Sequence, residues 1–542
     1  MEDLKKKLNN YVFYLILAAL AVIFFFIYSY LIYGNYSMKF SWPDETANYF
    51  FIKNYIQNTT FSAPEPLNTI ADDIIKPRSF NVWQGNLVPG SFLGMLLVYG
   101  TIGKVVGLDL MVLLTPLLAV LAGIYFYKLM KLFFEPKIAF LSAMLFFINP
   151  AWWYYASFFM LPNISFICFL IMGFYYLLKI DKQKKQGNVL FVILGTFFLS
   201  LAMTIRTNEI FWVLPLLLAL YIIYRKKIFW AYIPLAFLVA FTVFLPVFYY
   251  NYETYGHFLS FGYLRLEQGA NFLEKIPTEF AATNDQVIIN FLKLIFLPFG
   301  FSIKLILINI VKYFVFLFWW LFIPAVIGGA VFLKKFRDKD KIVFLVSTVL
   351  VSLYIMIYYG SWAFEDLLTL NLNKIGISYV RYFLPIYIFS LPFIVFCFLE
   401  ILNYIKNKKL KILLALLLIV SFITLTVNVI YIAGNDNLVK TRAHIDIYSF
   451  INKRVLELTE GNSVIISERA DKIYFPERKV VGKVNLNEIN SWAKLLHANV
   501  PLYFYGSADE EFKTALTKQN MKLTDEILIS ESNYLAKIIF IQ

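Results

Sequence analysis

The chain has 542 residues, 60% of them apolar and 15% charged, whereas an average soluble protein is about 45–50% apolar and about 25% charged. Its net charge is +14, yet the lysines and arginines sit in short loops between long apolar runs. That pattern excludes a nucleic-acid binder and fits a protein whose solvent is the lipid bilayer.

Taken in chain order, Lys5, Lys6 and Lys7 precede an apolar run over 11–33. The run is longer than the core of a secretory signal peptide, and its small residues lie in the middle. It is therefore predicted to be a retained first crossing with a cytoplasmic N-terminus. The loop over 34–86 then faces outward. It contains Trp42-Pro43-Asp44-Glu45-Thr46-Ala47, followed by Phe50, Phe51, Asn54 and Tyr55 at helical spacing. Pro at the first helical position and acids in the first turn mark a helix start. The spacing predicts a helix with one apolar face lying along the outer membrane surface.

Two apolar runs follow, over 87–105 and 109–130, and then the basic residues Lys128, Lys131 and Lys137. If those lysines face the cytoplasm, only one of the two runs crosses. The first, rich in glycine (Gly90, Gly94, Gly100, Gly103), is predicted to lie in the interface or re-enter. Further apolar runs continue to about residue 434. The basic segments 179–185, 225–227, 334–341 and 406–411 are assigned to the cytoplasm, and 157–162, 205–208, 251–302, 361–378 and everything beyond 434 to the outside. The count is about eleven crossings, and the run over 303–333 is long enough to contain a break.

From residue 435 the composition becomes that of a soluble domain. A helix is predicted over 442–458, β-type runs over 463–467, 502–505 and 537–541, and a second helix opened by a capping box of Ser507 and Glu510. The fold class expected is thus an all-α polytopic membrane protein over 1–434 with a small C-terminal α/β extracytoplasmic domain over 435–542. That domain has no Gly-rich phosphate loop and is read as an accessory or acceptor-contacting module. Cys168 and Cys397 lie in apolar runs, and His257, His444 and His497 are far apart, so neither a disulfide framework nor a metal motif is expected. Sequons begin at Asn35, Asn58 and Asn163 but are too common by chance to assign a compartment.

The outward face collects charges at the ends of crossings. Besides Asp44 and Glu45 there are Lys76 and Arg78 late in the first loop, Arg206 and Glu209 where one apolar run gives way to the next, Arg265 after Tyr263, and Arg381 at the opening of a late crossing. Each one alone is explained by snorkelling to the headgroups. Together, ionisable groups at membrane depth on one side mark a site. Carboxylates with guanidiniums suit binding a lipid-linked phosphate and activating a hydroxyl.

These residues resemble the C-type glycosyltransferase (GT-C) superfamily, nearest to its protein O-mannosyltransferase and aminoarabinose transferase group. There, a first crossing is followed by an Asp-Glu pair opening a helix, as Asp44-Glu45 does here. An Arg with a nearby Glu between middle crossings is matched by Arg206 and Glu209, and an Arg-Tyr-x-x-Pro late crossing by Arg381-Tyr382-Phe383-Leu384-Pro385. The resemblance runs to about residue 434. The chain departs from the pattern at Asn86-Leu87-Val88-Pro89-Gly90, where a basic residue or His before two prolines is usual. It departs again at Asn163, where a second acid is usual, which weakens any claim to a divalent metal. Trp152-Trp153 is followed by Tyr154 rather than the Asp of oligosaccharyltransferases, disfavouring transfer of a whole oligosaccharide to asparagine.

The resemblance implies an inverting transfer of one sugar from a polyprenyl-phosphate donor to an acceptor hydroxyl outside the cytoplasm, with no cofactor. Asp44 is the expected base and Glu45 its helper. Arg381, Arg206, Arg78 and Lys76 are the expected phosphate ligands, supported by Glu209, Asn163, Tyr263 and Arg265. The expected partners are the lipid-linked sugar, an unspecified acceptor and the bilayer. The rival class is a transporter or lipid-linked-sugar flippase. The absence of an internal repeat and the gathering of charges at one interface favour the enzyme over it. A non-catalytic factor for envelope polysaccharide assembly is a third reading.

Overall fold

The computed structural model describes residues 2–181, 187–225, 232–265, 296–363, 374–530 and 533–541, with side chains from residue 11 onward and not at Arg265. Most of the expected outward loop 251–302, part of 361–378, and the basic stretches 182–186 and 226–231 lie outside the described residues.

Apolar helices dominate the first 432 residues. Among the described residues eight are long and apolar enough to cross a bilayer: Tyr11–Tyr28, Leu108–Met130, Asn188–Ile205, Thr207–Tyr224, Tyr232–Tyr255, Lys339–Gly360, Leu384–Asn403 and Lys408–Ile432. The count is ten if two bent pairs are each one span, and eleven with the shorter apolar helix Pro162–Leu178. One bent pair, Pro136–Phe147 with Pro150–Ala156, turns by 50°. Asn149 takes the N-cap there, accepting from the Trp152 amide at 3.1 Å ahead of Pro150. The other, Ile303–Phe316 with Trp319–Lys335, turns by 101°, the break expected within 303–333. Several spans leave large apolar side chains outward. Phe237, Leu238 and Phe241 are exposed on one helix and Leu413, Leu416 and Val420 on another. In water such faces would drive aggregation; in lipid tails they are solvated. The chain is a multi-pass membrane protein.

The chain folds as two compact units. The first comprises Met1–Leu31, Leu113–Phe244 and Ile276–Lys440 and holds most of the spans. The second comprises Ile32–Val112, Leu245–Lys275 and Thr441–Gln542, so the loop after the first span and the C-terminal domain form one body rather than separate parts. The reason is a shared core. Ala71, Ile74 and Ile75 of the loop are buried among Val464, Ile466, Leu502 and Ile538 of the C-terminal sheet and Trp492 of a helix packed on it.

That sheet has five strands in the order Lys479–Val481, Val464–Ser467, Leu502–Gly506, Asn533–Phe540, Met521–Ser530. The first three are parallel and the last two join antiparallel. With the helices Leu438–Leu458, Ile489–His497 and Glu510–Lys518 this is the expected small α/β fold. The capping box is corrected. The helix begins at Glu510, and its cap is Asp509, which accepts from the Phe512 amide at 2.8 Å; Ser507 lies too early to serve.

Two expectations in the loop also change. The helix Pro43–Asn58 buries Glu45, Thr46 and Asn48 as well as Ala47, Phe51, Ile52 and Tyr55, so it is packed within the unit rather than resting one apolar stripe on a surface. The run over 87–105 yields a strand, Asn86–Pro89, and a 14-residue helix, Leu93–Val106. At ~21 Å this helix is short of the roughly 30 Å hydrocarbon layer, in keeping with a segment that does not cross. Its glycines serve close packing, however. A Cβ on Gly100 would lie 2.5 Å from the Tyr55 ring, and one on Gly103 2.5 Å from Ile56.

Candidate functional site

In the second unit the site is built around the start of the helix Pro43–Asn58. Pro43 occupies the first helical turn and places Asp44 and Glu45 there too, where the helix dipole favours negative charge. Asp44 is half-buried, and Glu45 is buried. Ser79 Oγ donates to Asp44 Oδ1 at 2.6 Å. A hairpin sets the position of Ser79. Phe80–Trp83 pairs with Asn86–Pro89 around Gln84-Gly85, both with positive φ (50° and 76°) as a tight two-residue turn requires. Past the hairpin, the Gly90 amide donates to Ser79 O at 3.1 Å. Only glycine fits at 90, since a Cβ there would lie 2.6 Å from that oxygen.

Arg78, expected to bind phosphate, is held by Asp471 of the C-terminal domain. Its Nε donates to Asp471 Oδ1 at 2.8 Å, its amide to Oδ2 at 2.7 Å, and its Nη2 to Arg469 O at 2.7 Å. The Asp471 side chain is fully buried, so this guanidinium is committed to a structural pair. Lys76 pairs its backbone with Val481, and burial pushes its ammonium below the usual lysine range, against the pull of Asp73 and Glu488. Tyr263 rests its ring against Phe92 at 5.0 Å in the turn Gly262–Arg265. Asn81 Nδ2 donates to Gly262 O at 2.7 Å and so ties this turn to the hairpin. The Arg265 side chain lies outside the described residues.

In the first unit two guanidiniums meet on one tyrosine. Arg206 ends the helix Asn188–Ile205, and a single turn, Thr207–Glu209, leads into Ile210–Tyr224. This brings Arg206 and Glu209 side by side. Arg206 Nε and Nη2 donate to Glu209 Oε1 at 2.9 and 2.6 Å. Tyr359 OH donates to the same oxygen at 2.7 Å and accepts from Arg206 Nη2 and Asn208 Nδ2, each at 2.8 Å. Trp212 Nε1 donates to Glu209 Oε2 at 2.5 Å. The Tyr359 ring stacks on Tyr382 at 4.4 Å, and both Arg206 and Arg381 lie 5.1 Å from the centre of the Tyr382 ring. Such cation–π contacts strengthen where water is excluded, and both arginines are buried.

The segment carrying Arg381 is pinned from several sides. Asn163 Nδ2 donates to Arg381 O at 3.2 Å. A carboxylate at 163 could not donate, which gives a physical reason for an amide at this position. Tyr155 OH donates to Ile375 O and Ile377 O at 2.9 and 2.7 Å. The Gly376 amide donates to Asp436 Oδ2 at 2.5 Å, and burial pushes the Asp436 carboxyl upward. Beyond Arg381 the helix Leu384–Phe389 runs into an apolar cavity of about 390 Å3, whose walls include Phe318, Phe322, Leu353, Tyr387 and Phe393. Ile386, the first wall residue on that helix, follows Arg381 by five positions. A cation a few residues ahead of an apolar cavity on the same stretch of chain suits an anion with a hydrocarbon tail.

Reasoning from sequence missed Ser79, Tyr359, Asp436, Asp471 and Lys472. Each acts on a residue from 35 to more than 400 positions away, and nothing in its own surroundings announces that. Among the described residues no three His, Cys, Asp or Glu side chains gather as a metal ion would require.

These features define a class: a many-span membrane protein with acidic and basic clusters near the ends of its spans. Residues 101–250, which include Asn163, Arg206 and Glu209, match the family model described as dolichyl-phosphate-mannose-protein mannosyltransferase. None of the curated proteins matches the chain by sequence. Among solved structures, the chain is similar to ArnT from Cupriavidus metallidurans bound to undecaprenyl phosphate. The TM-score is 0.56 at 10% identity, covering 96% of this chain and 97% of that one. It is also similar to the archaeal oligosaccharyltransferase AglB from Archaeoglobus fulgidus in complex with an inhibitory peptide and a dolichol-phosphate, with a TM-score of 0.55 at 12% identity, covering 90% and 69%. The resemblance to the GT-C superfamily thus holds for the fold. With ArnT it extends through almost the whole chain, beyond the residue 434 at which the sequence resemblance stops.

Proposed function

We propose that this protein is a membrane glycosyltransferase that moves a single sugar from a polyprenyl-phosphate donor to an acceptor hydroxyl on the extracytoplasmic side, with inversion. The N-terminus is then cytoplasmic and the C-terminal domain outside, as the basic loops require. The observation that carries the reading is Asp44, a carboxylate at a helix start directly after the first span, oriented by Ser79. Support comes from the family match and from fold relatives whose structures hold undecaprenyl phosphate and dolichol-phosphate.

In the proposed reaction the acceptor oxygen attacks the anomeric carbon while its proton passes to the Asp44 carboxylate. The bond from that carbon to the phosphate oxygen breaks, and its electron pair leaves with the polyprenyl phosphate. Phosphate needs charge neutralisation rather than a proton, so one carboxylate suffices, unlike the pair used in glycoside hydrolysis. Arg381 neutralises the phosphate, since a guanidinium matches its oxygens in a fork. Arg206, whose Nε and Nη2 are already paired with Glu209, adds positive charge beside the Tyr382 ring that both arginines contact. Glu45 supports Asp44. The apolar cavity beyond Arg381 takes part of the prenyl tail. Arg78 is left out, because Asp471 already engages it.

The test is to incubate the purified protein with polyprenyl-phosphate mannose and related synthetic donors and to determine the anomeric configuration of the product. Release of polyprenyl phosphate with an inverted product is expected. Retention of configuration, or binding of every donor without release, would overturn the proposal.

A further inference from the structure

The C-terminal domain reaches Asp44 through two adjacent residues. Asp471 and Lys472 open the short helix Asp471–Tyr474, shortly after the inner strand Val464–Ser467. Asp471 accepts from the amide and the guanidinium of Arg78, and the next residue, Ser79, donates to Asp44. Lys472 Nζ donates to Ser41 O, two residues before the proline that starts the Asp44 helix. The dipeptide therefore grips both segments that frame Asp44, one from each side. Lys472 also feels the charge of Glu45 and lies 4.9 Å from the ring of Tyr448. The grip is reinforced further out, where Lys39 Nζ donates to Glu477 Oε2 at 2.7 Å, Lys479 pairs with Glu65 at 2.5 Å, and Lys494 pairs with Asp72 at 2.6 Å.

We propose that Lys472 is a positioning residue for the reaction, fixing the start of the Asp44 helix and balancing the Glu45 charge, so that the C-terminal domain is a working part of the transferase rather than an accessory. This rests on the reading of Asp44 as the base. The physical case is local. Two adjacent carboxylates in one helical turn repel each other, and a nearby ammonium lowers the cost of keeping both ionised. Its bond to a carbonyl upstream of the helix also removes freedom from the turn that aims Asp44. Misplacing a catalytic group by about 1 Å can cost ~100-fold in rate.

The charge on Lys472 titrates within reach of an assay. Burial and the neighbouring Arg78 bring its ammonium down to about 8, opposed by Asp471 and Glu45. The groups facing it are Glu45 on the Asp44 helix, Arg78 beside the hairpin, Asp471 on its own helix and Tyr448 on Leu438–Leu458. Below that pH the ammonium is charged; above it, the charge is lost.

The experiment measures release of polyprenyl phosphate from polyprenyl-phosphate mannose against pH for the full chain and for Lys472→Gln, Lys472→Arg and Asp44→Asn. In the wild type, turnover is expected to fall above about pH 8. Lys472→Gln should lower kcat roughly tenfold to a hundredfold with no such limb and little change in KM. Lys472→Arg, which keeps its charge, should move the limb upward by more than one pH unit. If Lys472→Gln keeps wild-type turnover and its alkaline limb while Asp44→Asn is inactive, Lys472 has no such role and the base assignment stands. If Asp44→Asn is fully active, the base assignment itself falls. Should Lys472→Gln fail to fold, the limb of Lys472→Arg decides: an unmoved limb overturns the proposal.

Discussion

Glu209 accepts four hydrogen bonds: two from Arg206, one from Tyr359 and one from Trp212. Its side chain is 5% exposed and that of Arg206 9%. Glu209→Ala would leave a guanidinium out of water with no counter-charge. Removing one partner of such a buried pair costs about 3–5 kcal/mol, about a hundredfold or more in the unfolding constant. Glu209→Gln keeps an acceptor oxygen and loses the charge, so a smaller loss of about 1.5–3 kcal/mol is expected. Replacing both residues, as Arg206→Met with Glu209→Met, should recover most of the stability, because neither charge is then stranded. The assay is unfolding in mixed micelles with rising dodecyl sulfate, followed by loss of helical circular dichroism. The control is the Lys335–Glu400 pair, of similar length at 2.8 Å but with Lys335 53% exposed. Glu400→Ala should cost under about 1 kcal/mol. A Glu209→Ala loss no larger than that of Glu400→Ala would refute the view that the Arg206 network is a desolvated, prepaid site.

Two further perturbations act on the segment bearing Arg381. Gly376→Ala would set a Cβ 2.6 Å from Tyr154 Oη and 2.8 Å from Asp436 Oδ2. It should weaken binding of polyprenyl phosphate, read by titration calorimetry, and destabilise the chain by about 1–3 kcal/mol. Unchanged values for both would mean the loop is not held as described. Asn163→Asp would face a carboxylate oxygen toward the Arg381 carbonyl in place of a donor. A stability loss of about 1–3 kcal/mol is expected, and Asn163→Asp at wild-type stability would show that this hydrogen bond is dispensable.

Much of the fold was legible because the bilayer imposes its own ruler. Runs of about 20 apolar residues name their spans, and Pro43 ahead of Asp44 and Glu45 names a helix start. The parity argument from Lys128, Lys131 and Lys137 marked 87–105 as unlike a crossing. Glycine content singled out that run, and two of its glycines, Gly100 and Gly103, bring Leu93–Val106 against Tyr55 and Ile56. Partnerships between distant residues were not legible. Arg78 looked available for phosphate, and its commitment to Asp471 depends on a residue 393 positions away. Glu209 beside Arg206 was visible as an i,i+3 pair; Tyr359, which completes it, belongs to another span. The Ser507 capping box fitted the spacing rule, but Asp509 caps the helix because it stands in extended backbone directly before Glu510.

The account turns on Asp44 as a base that does not itself hold the donor. The most direct measurement compares the full chain with Asp44→Asn, determining both the affinity for polyprenyl-phosphate mannose and the rate of its turnover. The account expects an unchanged dissociation constant and a turnover lower by about 100- to 10,000-fold. Turnover within about twofold of wild type, well short of what a general base contributes, would contradict it; so would affinity lost in step with rate.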